Sequence, residues 1–363
     1  MTDTARAGIL TRLVPFVCWG AWVALVCVWI LKNREWLGEV AAFDHKAIKA
    51  AYSWNFDTIP SWYLILSIIC MVLGVIVASR RWRIWIVGLL SLLSGLGLKG
   101  MKWYVSEYEH GLLVERNVVI ESAKIKDPIR ILHISDLEAA QIGEHERKAL
   151  QQVAQADVDM VIFTGDFIEL QKGDQYSKLW DKLFPLLNEI RPSLGFYGVY
   201  GDGDSRLYRI RLGEDASLRM LGTAPVFVRK GKTLLCLKGL SLYQSRMRDV
   251  AEHHVEGWLS ALADDTFSIL VGHGPEYIPS VLDNGIDLCL AGHTHGGQVH
   301  LPFLGPLIIN SDVSKQFAKG YHEMGNTRVN ISAGLGSDRH KGMPIIRFGC
   351  PTEMTIIELR PSD

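Results

Sequence analysis

The chain has 363 residues and a formal net charge of −1, with 38 basic against 39 acidic side chains. That balance, with no long basic run, excludes the usual electrostatic footprint of a nucleic-acid binder. The length allows a membrane part plus one domain of ordinary size. Hydrophobicity is uneven: the long apolar runs crowd the N-terminal part, and the remainder reads as an α/β protein.

Leu13 to Leu31 is apolar and uncharged, with Trp19, Trp22 and Trp29. It is about long enough to cross a hydrocarbon core of about 30 Å. It is too long for a cleaved signal peptide, and no small-x-small site follows it. Residues 32 to 60 are mixed, with Trp36, Tyr52 and Trp54 suited to an interface belt. A second span is expected near 61–79, then Arg80-Arg81-Trp82-Arg83, then a third apolar run near 84–104. The domain division is therefore a membrane anchor over 1–105 and a soluble domain over 111–363.

Arg6, Arg12, Arg80, Arg81 and Arg83 favour the cytoplasmic side, so the first span goes out and the second returns. If the third run also crosses, the soluble domain lies outside the cytoplasm, anchored in the cell (inner) membrane by a multi-pass segment. The clean part of that run is shorter than the usual ~17–25 residues, and Lys99 and Lys102 must snorkel. If it only dips in, the domain is cytoplasmic; the extracytoplasmic placement is the expected one.

In the soluble part, Leu112–Ile120 reads as a strand. Ile129–Ile134 is a short apolar run ending in Ser135-Asp136-Leu137-Glu138. A polar helix follows near Glu144–Gln155. Met160–Phe163 is a buried strand ending in Thr164-Gly165-Asp166-Phe167-Ile168-Glu169, followed by a helix near Gln175–Ile190. Phe196–Tyr200 ends in Gly201-Asp202-Gly203-Asp204. Val226–Val228 and Thr233–Leu240 form a hairpin, and a helix lies near Arg248–Ala261. Phe267–Val271 ends in Gly272-His273, and Ile286–Ala291 ends in Gly292-His293-Thr294-His295-Gly296-Gly297. Arg328–Ala333 and Met354–Leu359 add two strands. Strands alternating with helices predict α/β layering, and the polar clusters fall at strand carboxyl ends, where open α/β sheets place their ligands.

Asp136, Glu138, Asp166, Asp202, His273, His293 and His295 form one mixed carboxylate and imidazole set without cysteine, as expected for divalent manganese, iron or zinc. Seven ligands are too many for one ion and suit two sharing a bridging carboxylate. Two metals about 3.5–4 Å apart form a clamp for displacement at phosphorus. Singly, a strand-end carboxylate is more often a turn or helix cap; the joint pattern sets these apart.

These motifs resemble those of the calcineurin-like metallophosphoesterases, in the branch with a membrane segment before the catalytic domain and a last motif reading Gly-His-Thr-His-Gly-Gly-Gln. The resemblance covers about residue 112 onward and includes Ser332-Ala333-Gly334-Leu335-Gly336 and Ile346-Arg347-Phe348. It implies a four-layer α-β-β-α sandwich behind about three transmembrane helices, and two divalent cations. Carried over by position, Asp136, Glu138, Asp166 and His295 hold the first metal. Asp166, Asp202, His273 and His293 hold the second, with Asp166 bridging. Glu138 stands where the family has His, and Asp202 where it has Asn. Both harden the site toward manganese, with magnesium, iron or zinc as alternatives. Glu169 replaces an Asp and is expected to support the ligands from behind. Gly203 replaces the His that contacts phosphate and helps protonate the leaving group, a role typically worth about 10²–10⁴ in rate. Asp204 keeps its place and is carried over as a catalytic residue. His145, His300 and His340 are candidates for the missing proton donor, and Arg339 and His340 for substrate contact.

The implied reaction is metal-assisted hydrolysis of a phosphate ester or pyrophosphate bond. The anchor makes a phosphorylated lipid or lipid-linked molecule the expected substrate and the membrane the expected partner. A UDP-diacylglucosamine pyrophosphatase of lipid A synthesis is one alternative and requires a cytoplasmic domain. The other is a phosphate-binding sensor or scaffold, silent because of Gly203. A transporter is poorly supported, since the spans hold almost no ionisable residues. Cys236, Cys289 and Cys350 in the soluble part show no disulfide-like or metal-like spacing, while Cys18, Cys27 and Cys70 read as small hydrophobes of the spans.

Overall fold

The structure, a computed structural model, describes residues 3–41, 44–76, 82–169, 173–204, 216–247, 255–307, 309–339 and 342–362. Arg80 and Arg81, His340 and Lys341, and the first part of the helix expected near 248–261 lie outside the described residues. The chain divides into two compact units, Met1–Tyr108 and Glu109–Asp363.

The first unit is helical. Helix α1 covers Asp3–Ala41, α2 covers His45–Ser53, α3 covers Ile59–Ile76 and α4 covers Trp82–Trp103. Asp44 caps α2, accepting the N–H groups of Lys46 (2.7 Å) and Ala47 (2.9 Å). The structure is more continuous than the sequence reading. α1 runs ten residues past Leu31, and α2 continues through a π-turn at Trp54–Thr58 into α3. Three stretches are long and apolar enough to cross a membrane: Leu13–Val40, His45–Ile76 and Trp82–Tyr108. The third is not short, because its 22-residue α-helix rises about 33 Å at about 1.5 Å per residue. Lys102 does not need to snorkel: its ammonium lies 2.7 Å from Asp57 Oδ1. Small residues bring α3 and α4 together, as expected where close van der Waals packing replaces the hydrophobic effect. A Cβ on Gly95 would stand 2.9 Å from the Leu64 side chain and 3.0 Å from the Pro60 carbonyl. Cys18 and Cys70 are buried in the helix contacts, and Cys27 is exposed.

The second unit is two mixed sheets with helices on their outer faces. In the first sheet the order is β1 (Leu113–Ser122), β14 (Thr352–Pro361), β2 (Ile129–Ile134), β3 (Met160–Phe163), β4 (Phe196–Gly198), β5 (Leu218–Met220). β2 to β5 are parallel, β14 runs antiparallel to β2, and β1 runs parallel to β14. In the second sheet the order is β12 (Gly320–Met324), β13 (Thr327–Ile331), β9 (Leu288–Ala291), β8 (Phe267–Val271), β7 (Thr233–Gly239), β6 (Val226–Lys230). β13, β9, β8 and β7 are parallel, and β12 and β6 close the edges antiparallel.

Three apolar cores define four layers. One, between the sheets, joins Ile131, Ile162 and Ile357 to Leu235, Ile269 and Leu290. A second packs α5 (Glu144–Gln155) and α6 (Gly173–Asn188) on the first sheet through Leu150, Leu183 and Leu187. The third covers the far face of the second sheet with Val255, Trp258 and Ile278. The layering is the expected α-β-β-α, and central strands buried on both faces read as continuous apolar runs for that reason. The sequence reading missed β5, β12 and a two-stranded hairpin, β10 (His300–Leu301) with β11 (Gly305–Pro306). They are short or carry no apolar alternation.

Arg347 is the largest fully buried side chain among the described residues. Its guanidinium donates to the carbonyls of Ala333 (2.7 Å), Cys350 (3.0 Å), Pro351 (3.2 Å) and Gly336. Each buried carbonyl left unpaired costs about 1–3 kcal/mol. Arg347→Met is expected to destabilise the soluble unit by about 3 kcal/mol or more. A Tm lowered by several degrees in thermal unfolding followed by circular dichroism would verify this, and an unchanged Tm would refute it.

Candidate metal centre

The seven predicted residues sit on loops leaving β2, β3, β4, β8 and β9, all at strand carboxyl ends. The strands are parallel within each sheet, so their loops leave on one edge. Adjacent loops are laced together: Asp136 N–H donates to Gly165 O (2.9 Å), Glu138 N–H to Asp166 O (3.0 Å) and Gly292 N–H to His273 O (2.8 Å).

The local backbone is unusual. Asp136, Glu138, Asp166, His293 and His295 all have positive φ, between 48° and 68°. Only two other non-glycine residues do so among the described residues, Gln298 and Phe303. Left-handed backbone at non-glycine residues costs on the order of 1 kcal/mol or more each, and clusters where geometry serves a site. Glycines provide the remaining room. A Cβ on Gly292 would lie 1.9 Å from Ser135 Oγ and 2.4 Å from Asp136 Oδ2, and one on Gly165 would meet the Gly201 nitrogen at 2.7 Å.

The structure brings all seven residues into two clusters. Asp136, Glu138 and His295 form one; Asp166, Asp202, His273 and His293 form the other. Within each, one ligand atom per residue lies within 4.8 Å of the rest. His295 Nε2 is 3.3 Å from Glu138 Oε1 and 3.6 Å from Asp136 Oδ1. His273 Nε2 is 3.2 Å from Asp166 Oδ2 and 3.5 Å from Asp202 Oδ1. His273 Nδ1 pairs with Thr164 O at 2.7 Å, which makes Nδ1 a donor and leaves Nε2 as the nitrogen facing the carboxylates. All but Asp202 are buried.

Charge is concentrated here without internal balance. Burial, then Asp166, Glu169 and Asp338, push the Glu138 carboxyl well above its usual range. Burial and Asp338 push Glu169 up to about 8. Burial would lower the His273 imidazole, but Asp166, Asp136 and Asp202 outweigh it and raise it well above its usual value. Burial and the neighbouring His273 hold His293 well below it. Glu138 Oε2, His273 Nε2, His293 Nε2 and His295 Nδ1 are buried and make no hydrogen bond. Buried polar atoms are rarely left so. Carboxylate oxygens and imidazole nitrogens gathered in two clusters fit two divalent cations in chemistry and in number.

Asp204 is not placed for the catalytic part expected of it. Its fully buried carboxylate accepts the backbone N–H groups of Asp166 (2.7 Å), Gly201 (2.9 Å) and Phe167 (3.0 Å). It ties the β3 and β4 loops together, so it positions Asp166 and does not face a substrate. Gly203 is fixed as well. Its N–H donates to Asp166 Oδ1 (2.8 Å), and a Cβ there would stand 2.4 Å from Ile168 O. No side chain fits at 203 on this backbone. Neither described alternative proton donor is free. His145 Nε2 pairs with Leu335 O (2.7 Å), and His300 Nε2 with Gly296 O (2.5 Å). Glu169 accepts the Arg339 backbone N–H (2.6 Å), and the Arg339 guanidinium reaches to 3.9 Å from Glu146. His340 lies outside the described residues.

One residue escaped the sequence reading. Arg246, at the end of helix α7 (Leu242–Arg246), donates from Nη1 to Asp202 Oδ2 at 2.8 Å. It carries a half-buried positive charge to the second cluster. Nothing in Ser241-Leu242-Tyr243-Gln244-Ser245-Arg246 marks it, because its partner is 44 positions away.

The calcineurin-like phosphoesterase family profile matches residues 129–297, the stretch carrying all seven residues. The uncharacterized metallophosphoesterase YkuE of Bacillus subtilis is 30% identical over 241 residues, 65% of this chain and 81% of that one. The chain belongs to this family. Members are phosphoester hydrolases with a dinuclear divalent metal site, and the two clusters are its candidate ligand groups here. A Danio rerio transmembrane protein with metallophosphoesterase domain is 26% identical over 247 residues, 64% of this chain and 53% of that one. The Escherichia coli phosphodiesterase YaeI is 32% identical over 92 residues, 25% of this chain and 32% of that one. The chain thus spans about half or less of the length of these last two relatives.

Gly292→Ala must displace Ser135 and Asp136. Changes of this kind behind metal ligands typically cost about 10–100-fold in affinity. Calorimetric titration of chelator-stripped protein with manganese should show a loss in that range, and unchanged affinity would remove Asp136 from the site. Saturating metal should also stabilise the native state by about 2.7 kcal/mol at a free concentration a hundred times Kd.

Proposed function

We propose that this protein is a membrane-anchored dinuclear-metal phosphoesterase acting on a phosphate ester or pyrophosphate bond of a lipid-linked substrate. The observation that carries the proposal is the pair of carboxylate and imidazole clusters, buried but for Asp202, at one strand edge. The lipid part rests on the three helices long and apolar enough to cross a membrane. Manganese is the preferred ion, because four of the seven groups are hard carboxylates.

Cations held by these residues would supply Lewis-acid polarisation of phosphoryl oxygens and a nucleophile at neutral pH. The residues of the chain do the rest. Asp166, anchored by the Gly203 N–H and by the Asp204 bridge, faces the second cluster and is assigned to both ions. Arg246 holds its guanidinium against Asp202 and offers its remaining N–H groups to a phosphate, the contact that no side chain at 203 can make. Guanidinium is always protonated at working pH, so it stabilises charge and is a poor general acid. Hydrolysis therefore suits leaving groups that need little protonation, a nucleotide phosphate or activated diester above an alkoxide. The kinship with YaeI, named a phosphodiesterase, supports the diester class.

The closed space at Gly203 favours one second reading, binding of a phosphate ligand without turnover. Metal-reconstituted full-length protein in detergent separates the two when offered a lipid phosphomonoester, a phosphodiester and a UDP-linked acyl sugar. Asp166→Asn should abolish turnover while the fold persists, since the Asn amide oxygen can still accept the Gly203 N–H. Arg246→Ala should lower kcat/KM by about 10²-fold, as loss of one charge-stabilising donor does, with partial recovery in Arg246→Lys. Two metals bound with no turnover of any class would establish the binding-only reading.

A further inference from the structure

The hairpin β10–β11 presents an apolar tip that no described residue covers. Phe303 is 107% exposed, Leu304 75% and Leu307 41%. Elsewhere in the soluble unit the exposed large hydrophobic side chains among the described residues are scattered, at Leu112, Val119, Phe227, Tyr243 and Met247. Isolated exposed apolar residues are ordinary; three within five positions on one protrusion mark an interaction site.

The protrusion is built to hold its shape. His300 faces Pro306 and Leu301 faces Gly305 across the ladder, and Leu307 N–H closes it on Val299 O (3.0 Å). Two prolines, Pro302 and Pro306, restrict the backbone around the tip. Phe303 has φ 67°, a left-handed conformation that a bulky residue rarely adopts. Such strain at an exposed apolar side chain serves display. The base of the hairpin is continuous with the metal-site loop: His300 Nε2 meets Gly296 O, one residue after His295, and His300 N–H donates to Phe348 O (2.7 Å).

We propose that this tip is an interfacial anchor that dips into the lipid bilayer beside which the domain is tethered. The soluble unit begins at Glu109, directly after the candidate span Trp82–Tyr108, which would tether it to the membrane. The chemistry of the protrusion matches an interface: an aromatic ring and two leucines at the tip, with two lysines at the base. Lys315 donates to Leu307 O, and the Lys319 side chain packs beside Gly296. Basic residues at that depth attract anionic headgroups, while the apolar tip enters the acyl boundary. A tip fixed to the His295 loop would hold the metal edge at the headgroup layer. The inference does not depend on turnover.

The test uses the full chain in nanodiscs of phosphatidylcholine and phosphatidylglycerol in equal parts. Exposed Cys27 is replaced by Ala, the other five cysteines being buried. An environment-sensitive fluorophore is attached through Leu304→Cys, or through Asn326→Cys on an exposed turn as the control. Lipids carrying a nitroxide on the acyl chain should quench most of the emission from position 304 and leave position 326 nearly unchanged. Phe303→Cys should repeat the result for 304. Equal quenching at 304 and 326 would overturn the proposal. So would an emission change at 304 that follows only the loading of a second copy per disc, which would make the tip a self-association surface.

Discussion

Mutual repulsion among buried carboxylates is the constraint from which the soluble unit follows. Asp136, Glu138 and Asp166 are buried beside one another, with Asp202, Glu169 and Asp338 close by in the electrostatic sense. Water cannot screen them there, and the histidines offer incomplete compensation, because burial drives His293 toward the neutral form. Burying such groups together is costly, and a bound ligand of opposite charge would offset that cost. The scaffold is organised to tolerate that state. Five of the seven residues stand on backbone that L-amino acids avoid, and glycines clear the volume between neighbouring loops.

What holds those loops is a second set of buried polar groups. The Asp204 carboxylate gathers three N–H groups from two loops. Arg347 gathers carbonyls around the 333–336 turn, and that turn in turn binds the first loop, since Leu335 N–H donates to Ser135 O and Gly336 N–H to Asp136 O. Glu353 on β14 adds a bond to the Ala333 N–H (3.0 Å) and an ion pair with Arg116 (2.7 Å). These bonds are short, buried and mutually dependent, which makes the edge of the sandwich stiff. The geometry of the two clusters therefore rests on residues that belong to neither.

Much of this was legible in the chain. A strand buried on both faces has to be apolar throughout, so β2, β3, β8 and β9 announced themselves, and the polar residue breaking each run marked the sheet edge. The three helices long and apolar enough to cross a membrane were equally plain, because lipid demands an uninterrupted apolar length. Their continuations were not, since the polar stretch beyond Leu31 and the segment before Ile59 are helical through packing and capping more than through composition. β5, β10, β11 and β12 were missed because two to five residues carry too little periodicity to stand out.

Residue type and local spacing determined the list of seven groups: a Gly-His-x-His turn and carboxylates after apolar runs can be recognised without coordinates, since metal chemistry restricts which side chains serve. The tertiary structure alone decided what surrounds them. It turned Asp204 from a catalytic candidate into a brace, because its oxygens meet three amides contributed by two loops. It closed position 203 to any side chain, because Ile168 O lies against it. It brought Arg246 to Asp202 across 44 residues and left Phe303 uncovered. Each of these depends on which distant segments meet, and pairing across the fold leaves no trace in local sequence.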